Sequence, residues 1–210
     1  MKDKSRNYSK ERKRRVSSTP PPKEGNILKE IINILISVGV AYVLFVLIRT
    51  FLFFPFQVSG DSMVPTMLDG DRLILNRLGT VDRFDVVVFP APDPEGEGEE
   101  YVKRVIGVPG DEIVYQEDQL YIDGEQVEEK YLQPLKESLD RQLTNDFTLW
   151  DIPGSESNKV PEDMYLVLGD NREVSKDSRS FGFVPATEIE GTTSLRIWPL
   201  NRIGFLEKNE

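Results

Sequence analysis

The chain of 210 residues contains neither cysteine nor histidine. The lack of cysteine excludes disulfide bonds, thiolate catalysis and cysteine-based zinc sites, and the lack of histidine removes most other transition-metal sites. We therefore expect no metal and no cofactor. The same absence removes imidazole, which is the usual base beside a nucleophilic serine. A hydrolytic site in this chain must take its proton acceptor from another residue type, and lysine is the remaining candidate.

Positive charge is scarce after Arg49, where 15 Lys and Arg stand against 32 Asp and Glu, a net charge of −17. This balance argues against a nucleic-acid partner, because phosphates bind to positive surfaces. Residues 1–30 have the opposite sign, with ten basic and four acidic residues. Because Ser17–Pro22 is polar and rich in proline, we predict that residues 1–26 form a disordered basic tail, with a modest additional contact with anionic membrane lipid.

Ile31–Ile48 contains no charged residue and continues, after one arginine, into Phe51–Phe54. Such a run is long enough to cross about 30 Å of hydrocarbon as a helix. The alternative, a cleaved secretory signal, usually has an apolar region of about 7–15 residues and ends at small residues. We therefore predict a transmembrane helix over residues 27–50. The basic cluster Arg12–Arg15 precedes the run, so the positive-inside rule places the N-terminus in the cytoplasm and residues 51–210 outside.

From Phe56 onward the sequence changes to short runs rich in β-branched and aromatic residues, separated by Gly, Pro and Asp. This pattern predicts a mostly β domain. The expected strands are Phe56–Ser59, Arg72–Arg77, Asp85–Phe89, Tyr101–Gly107, Glu112–Gln116, Leu120–Asp123, Tyr165–Leu168 and Thr192–Trp198. Leucines recur every four residues over Leu135–Leu143, which predicts one short amphipathic helix within an insertion around residues 130–163.

Ser62 lies on a turn flanked by Gly60 and Pro65, just after the membrane-length apolar run. A serine hydroxyl is a poor nucleophile until a neighbouring base removes its proton, and Ser–Lys pairs are an alternative to Ser–His–Asp. Taken alone, a serine in such a turn is usually a helix cap or a turn residue. Its interpretation as a nucleophile therefore depends on a suitable lysine.

Lys103 lies in the apolar segment Tyr101–Gly107, where alternation puts Tyr101, Lys103 and Val105 on one face of a strand. From an ordinary pKa of about 10.4, half neutrality at pH 7 requires a fall of about 3.4 pH units, or roughly 4.6 kcal/mol. Burial lowers a lysine pKa by up to about 3–5 pH units, which is enough. The ordinary alternative is a solvated or snorkelling lysine. A desolvated Lys103 would accept the Ser62 proton and later donate it to the leaving amine.

The segment Gly169–Arg179 is dense in polar side chains and follows the apolar run Tyr165–Leu168. A charged surface turn is the simple interpretation. However, Asp177 and Arg179 are well placed for a structural ion pair, and a hydroxyl such as that of Ser175 is suited to orient a neutral lysine amine.

These segments closely resemble the bacterial type I signal peptidases, membrane-bound Ser–Lys proteases that remove signal peptides from exported preproteins. The resemblance covers about residues 27–205. It rests on four sequence boxes in the family's order: Ser62–Thr66, Arg83–Phe89, Tyr101–Arg104 and Gly169–Arg179. It implies a compact antiparallel β catalytic domain of signal-peptidase type in a single-pass protein of the bacterial plasma membrane.

The resemblance also implies a role for each candidate site residue. Ser62 corresponds to the nucleophile and Lys103 to the general base, Ser175 positions the lysine, and Asp177 with Arg179 holds the site together. Gly60 stands where some relatives carry a serine that stabilises the oxyanion. This chain must therefore rely on the Ser62 backbone N–H and another donor.

By the same resemblance, the substrate is a signal peptide that binds as an extended strand beside the nucleophile. Small side chains at the first and third positions before the cut would enter shallow apolar pockets. The positions that match the walls of these pockets are Phe56, Val58, Met63, Met67, Tyr101 and Val102. Each of them is equally well explained as a residue of the hydrophobic core.

Two other function classes compete with this interpretation. A self-cleaving repressor also uses a serine and a lysine, but that class is cytoplasmic and normally carries a DNA-binding helical domain, which does not fit the apolar run. A non-enzymatic, membrane-anchored β-domain that acts as an adaptor or assembly factor is the second alternative. Such a domain has no need of both Ser62 and Lys103, and this chain has both.

Overall fold

The computed structural model describes residues 27–51, 53–92, 94, 98–139 and 141–208. The predicted basic tail, residues 1–26, lies outside the described residues. The chain divides into two compact units, residues 1–43 and 44–210. All side chains of the candidate site belong to the second unit.

The first described element is helix α1, Ile27–Phe51, which is 25 residues long. Its segment Ile27–Val46 is long and apolar enough to cross a membrane, and the side chains of this segment are exposed. Ser37 donates its hydroxyl to the carbonyl oxygen of Asn33 at 2.8 Å, so this polar group is satisfied within the helix, as lipid surroundings require. The helix predicted over residues 27–50 is therefore present.

The described residues after α1 form strands, two short α-helices and several single turns of 3₁₀ helix. The strands are β1 Phe53–Gln57, β2 Arg72–Asn76, β3 Val86–Pro90, β4 Glu100–Gly107, β5 Ile113–Gln116, β6 Gln119–Ile122, β7 Glu125–Val127, β8 Phe147–Thr148, β9 Met164–Leu168, β10 Val184–Pro185, β11 Gly191–Trp198 and β12 Gly204–Phe205. The helices are α2 Gln133–Ser138 and α3 Ser178–Phe181.

These strands form two sheets. The larger sheet has the order β1-β2-β11-β3-β4-β9-β10, with β12 paired to β11, and the smaller sheet has the order β7-β6-β5-β8. Every pair in both sheets is antiparallel. The predicted mostly β, antiparallel fold is confirmed.

Strand β4 lies inside the larger sheet, between β3 and β9. Because successive side chains of a strand point to opposite faces, Val102 packs in one core cluster with Val86, whereas Val105 packs in another with Val87. From Val102 to Gly107 both faces of this strand are therefore covered, and a polar side chain there is removed from water.

The smaller sheet packs against the ends of β4 and β9. Ile113, Tyr115 and Leu120 of the smaller sheet belong to the same core cluster as Ile106 of β4 and Leu168, the last residue of β9. The loop that follows β9 therefore begins where the two sheets meet.

The first predicted strand is displaced along the sequence. The prediction was Phe56–Ser59, but β1 begins at Phe53 and ends at Gln57. Pro55 is tolerated within it because β1 is an edge strand, where a missing N–H breaks no ladder of hydrogen bonds. Val58 lies after the strand and donates its N–H to the carbonyl oxygen of Asp71 at 2.8 Å.

The predicted helix Leu135–Leu143 is wrong in extent. Helix α2 ends at Ser138, and Leu139 has an extended backbone with φ −118° and ψ 128°. The helix begins earlier than predicted, with a proline in its first turn, where the fixed φ of proline suits a helix. Leu143 is buried although it lies outside the helix, so the leucine spacing there reflects burial in a loop.

Candidate active site

Ser62 lies in the turn that joins β1 to β2. Gly60 has a φ of 80°, in the left-handed region that favours glycine, and its N–H donates to Asp69 Oδ1 at 2.9 Å. Met63 and Met67, which flank the other side of Ser62, are 1% and 0% exposed. The turn is thus held to the core by its neighbours, while Ser62 lines an open cleft.

Lys103 reaches Ser62 from strand β4. Its Nζ donates a hydrogen bond to Ser62 Oγ at 2.9 Å and another to the carbonyl oxygen of Val102 at 3.1 Å. The residue is 3% exposed, and its Nζ lies 4.9 Å from the centroid of the Tyr101 ring. The predicted nucleophile and the predicted base therefore lie within hydrogen-bond distance of each other.

Burial lowers the pKa of Lys103 to about 8, while the negative charges of Asp177 and Asp170 act in the opposite direction. At pH 7 a pKa of 8 leaves about one amine in ten neutral, against about one in 3,000 for an ordinary lysine. None of the described carboxylates forms a salt bridge with Lys103. The amine is thus desolvated without being tied to an anion.

Asp170 connects the turn of Ser62 with the strand of Lys103. Its Oδ1 accepts from Arg104 Nε at 2.9 Å and its Oδ2 from Arg104 Nη2 at 2.7 Å, and both residues are buried. The Thr66 hydroxyl donates to the same Oδ2. A bidentate bond fixes both distance and orientation, so Asp170 sets the position of the nucleophile turn relative to β4.

The predicted ion pair between Asp177 and Arg179 is present. Arg179 Nη2 donates to Asp177 Oδ2 at 2.7 Å and Arg179 Nε to Asp177 Oδ1 at 2.8 Å. Asp177 is fully buried, accepts the Gly169 N–H at 3.1 Å and caps helix α3. The pair therefore fixes the path of the loop after β9.

Ser175 is close to the dyad but is not hydrogen-bonded to it. Its Oγ is buried and has no hydrogen-bond partner among the described residues. A Cβ at Gly169 would clash with Ser175 Oγ and with the carbonyl oxygen of Ser62, so only glycine permits this close approach. The role of Ser175 in orienting Lys103 remains a prediction.

A cleft of about 630 Å³ opens beside Ser62 and Lys103. Of the six predicted pocket residues, Val58, Tyr101 and Val102 line it. The others, Phe56, Met63 and Met67, are buried in the core cluster that also contains Val58 and Val102. The described residues contain no group of three acidic side chains that could hold a metal ion.

Sequence reasoning missed several residues that shape the site. The cleft is also lined by Gln57, Ser59, Asp61, Gly98, Glu99, Glu100, Val174 and Lys176. Thr66, Arg104 and Asp170 lay inside the sequence boxes but received no role. The available signals were an acid just after the apolar run Tyr165–Leu168 and a second cation next to Lys103 in an apolar segment, since a charge in a buried segment requires a partner of opposite sign.

The chain is similar to several known proteins. The model of the family described as "Signal peptidase, peptidase S26" matches residues 31–198. The chain is 42% identical over 180 residues to a signal peptidase IB of Staphylococcus aureus (strain COL), covering 82% of this chain and 92% of that protein. It is 46% identical over 163 residues to a signal peptidase I of Bacillus caldolyticus, covering 75% of this chain and 86% of that protein.

A solved structure is also similar to this chain. The crystal structure of a signal peptidase I from Enterococcus faecalis V583 matches with a TM-score of 0.50 and 43% sequence identity, covering 54% of this chain and 97% of that one.

Proposed function

Because this chain belongs to the signal peptidase family, peptidase S26, we propose that it is a membrane-bound serine endopeptidase that removes N-terminal signal peptides from exported preproteins. The observation that carries this proposal is the 2.9 Å distance between Lys103 Nζ and Ser62 Oγ. An adaptor domain has no use for a desolvated amine directed at an accessible serine hydroxyl.

The chemistry proceeds through an acyl-enzyme. Neutral Lys103 takes the proton of Ser62 Oγ as this oxygen attacks the carbonyl carbon of the scissile peptide bond. The lysine ammonium then gives a proton to the leaving amine, and the C–N bond breaks. In the second half, Lys103 takes a proton from water, the hydroxide attacks the ester carbon, and the proton returns to Ser62 as the C–O bond breaks.

The Ser62 backbone N–H is the proposed first donor to the oxyanion. It donates no hydrogen bond within the described part of the chain. Gly60 has no hydroxyl to offer, and its N–H is already used by Asp69. The second donor must therefore come from another group or from water, and each such donor is worth about 3–4 kcal/mol in the transition state.

The signal peptide lies in the cleft as an extended strand, with small side chains at the first and third positions before the cut. Val58, Tyr101 and Val102 form the wall that these side chains contact, a role supported by their place in the lining. Phe56, Met63 and Met67 lie in the core cluster with Val58 and Val102 and restrict pocket depth indirectly. A shallow apolar pocket selects small residues because larger ones do not fit.

The residues after Gly169 support the dyad. Ser175 orients the Lys103 amine once the lysine is neutral, a role supported by the buried and unused Oγ. Asp177 and Arg179 hold the loop that carries Ser175, a role supported by their two short hydrogen bonds.

Helix α1 anchors the protein in the bacterial plasma membrane in a single pass, in contact with membrane lipid. The N-terminal tail is cytoplasmic and residues 51–210 face outward, which is supported by the excess of basic residues before the helix. Nucleic acid is not a partner of this acidic part. Protease added to intact spheroplasts should digest the outward part, and its complete protection would contradict this orientation.

The test is cleavage of one purified preprotein by the full chain in detergent. We expect Ser62→Ala and Lys103→Ala each to abolish cleavage while the far-UV circular dichroism stays unchanged. Ser194→Ala and Lys159→Ala, which change exposed residues of the same types, are the matched controls and should cleave normally. Substantial cleavage by Ser62→Ala or Lys103→Ala would overturn the dyad assignment.

A further inference from the structure

Arg172 lies three residues after Gly169, and its side chain is 0% exposed. A guanidinium has five N–H donors and no acceptor, and here all five are used. The acceptors are Gly169 O at 3.0 Å, Tyr115 OH at 2.9 Å, Thr144 Oγ1 at 3.1 Å, Glu129 Oε1 at 2.6 Å and Tyr131 OH at 3.1 Å. One bond holds the loop after β9, and the others reach residues in or near the smaller sheet.

Glu129 supplies the negative charge of this cluster. It lies two residues after β7 and is 3% exposed. Its Oε1 accepts the hydroxyls of Tyr115 and Tyr131, each at 2.7 Å, besides the bond from Arg172. Burial raises the pKa of Glu129, but the charge of Arg172 and these hydrogen bonds outweigh burial and lower the pKa below its usual value. The carboxylate is therefore ionised at neutral pH.

A contribution to stability alone does not explain this cluster. The free energy needed to remove two charges from water cancels most of their mutual attraction. Apolar residues of similar volume often stabilise a protein equally well or better. What a saturated guanidinium does provide is position, because its five fixed N–H directions match their acceptors in only one arrangement. The cluster therefore fixes where Arg172, and with it Gly169, lies relative to the smaller sheet.

The position of Gly169 matters because it packs against the nucleophile. A Cβ at Gly169 would clash with the carbonyl oxygen of Ser62, and the N–H of Asn171 donates to that same oxygen at 3.0 Å. The Asn171 side chain also donates to the carbonyl oxygen of Asp61 at 3.0 Å. A displacement of residues 169–172 would therefore move the backbone of Ser62.

The same loop also fixes the strand of the base. Asp170, between Gly169 and Asn171, holds Arg104 through two hydrogen bonds, and Arg104 is the neighbour of Lys103. The positions of both Ser62 and Lys103 thus depend on the short segment of residues 169–172. Arg172 fixes that segment to the smaller sheet.

We propose that Glu129 is a positioning residue for the Ser62–Lys103 dyad, acting through Arg172 and the Gly169 carbonyl, an inference that rests on the proposed function. It touches neither the substrate nor the reacting atoms. Its effect falls on the geometry of attack, so it changes kcat and leaves KM nearly constant, because the lining of the cleft does not include it.

The experiment compares Glu129→Gln with Glu125→Gln in the full chain in detergent. Glu125 carries the same side chain on β7 but is exposed. We expect Glu129→Gln to lower kcat on a preprotein by about ten- to a hundredfold, the size expected for a shift of about 1 Å at the reacting atoms, with KM within about twofold. Glu125→Gln should match wild type.

A double variant separates positioning from a merely structural role. Glu129→Gln with Arg172→Gln removes both buried charges, so no unpaired charge remains and the thermal midpoint should recover relative to Glu129→Gln. The donor to the Gly169 carbonyl is also gone, so kcat should stay low. Recovery of kcat together with the thermal midpoint would overturn the proposal.

A milder change covers the case in which Glu129→Gln does not fold. Tyr115→Phe removes one hydroxyl that joins Arg172 to Glu129 and should lower kcat several-fold in the same direction. In a Ser62→Ala background it should also speed deuterium uptake in peptides that cover residues 169–172, a readout that requires no catalysis. Unchanged kcat and unchanged uptake would overturn the proposal, whereas failure of wild type to cleave any preprotein would count only against the proposed function.

Discussion

Lys103 and Arg104 are consecutive residues on strand β4. Both are buried cations, but their pKa values shift in opposite directions. Arg104 points to the face where Asp170 accepts two of its hydrogen bonds. Burial opposes the charge of Arg104, yet Asp170 raises its pKa above the usual value. Lys103 points to the other face, and there burial dominates and lowers its pKa to about 8.

The contrast shows how one strand carries both a fixed support and a reactive group. A cation with a bidentate carboxylate partner keeps its proton and holds its position. A cation that is desolvated but has only distant carboxylates gives up its proton near neutral pH. The difference lies in the pairing, since both residues are almost fully removed from water.

The largest expected effect comes from giving position 103 the chemistry of position 104. In Lys103→Arg the guanidinium stays protonated at any practical pH and cannot accept the Ser62 proton. We expect cleavage of a preprotein to fall at least about a thousandfold, the scale of losing an essential base and its proton transfers. Circular dichroism should show that the fold is retained, and Lys159→Arg at an exposed position is the control. Appreciable activity in Lys103→Arg would mean that another residue is the base.

Breaking the pair on the opposite face should act on stability. Arg104→Met leaves Asp170 buried without its cation, and the loss of one partner of a buried pair costs about 3–5 kcal/mol. Urea unfolding of the full chain in detergent measures this change. The double variant Arg104→Met with Asp170→Leu should recover much of the loss, because both charges of this pair are removed and neither is left unpaired. If the double variant is as unstable as the single one, the ion pair is not the source of the effect.

The sequence predicted the parts of this arrangement that depend on local pattern. Alternation along β4 placed Tyr101 and Lys103 on one face, and the Lys103 amine does lie over the Tyr101 ring. The apolar run gave helix α1, and the nucleophile turn and the box after β9 were both located. These features depend on neighbours in the sequence, which a single chain displays directly.

Long-range pairings were not predicted. Arg172 and Glu129 are 43 residues apart and Arg104 and Asp170 are 66 apart, and a single sequence does not tell which of its many acids and bases meet. Leu143 was assigned to a helix because burial in a loop and helical periodicity give the same leucine spacing. Strand β8, of two residues, is too short to leave an alternating pattern.

The buried amine should also affect stability as pH changes. The folded pKa of Lys103 is about 8 and its ordinary value is 10.5, so between these values the unfolded chain binds more protons and stability rises with pH. Below about pH 8 Lys103 is protonated in both the folded and the unfolded chain, so the folded state bears the full free-energy cost of burying the charged amine. Lys103→Met removes it and should stabilise the protein at pH 7 by up to about 3 kcal/mol. Parallel dependence of the urea midpoint on pH from 8 to 10 in wild type and Lys103→Met would contradict this shift.

The rate should follow the same titration. Because only neutral Lys103 accepts the Ser62 proton, kcat/KM should rise with pH and level off above the pKa of about 8. Between pH 7 and pH 9 the neutral fraction grows about tenfold. Initial rates at low preprotein concentration measure this profile. A flat profile from pH 6 to pH 9 would argue against a lysine base with this pKa.

The smallest expected effect comes from an ion pair that is exposed. Arg141 Nη2 lies 2.8 Å from Glu173 Oε2, close to the length of the buried pairs, but the two side chains are 60% and 39% exposed. Water screens such a pair and side-chain entropy opposes it, so Arg141→Gln should change the free energy of unfolding by less than about 0.5 kcal/mol and leave kcat unaltered. The same urea titration measures it beside Arg104→Met. A loss comparable to that of Arg104→Met would show that distance alone, rather than burial, decides how much these ion pairs contribute.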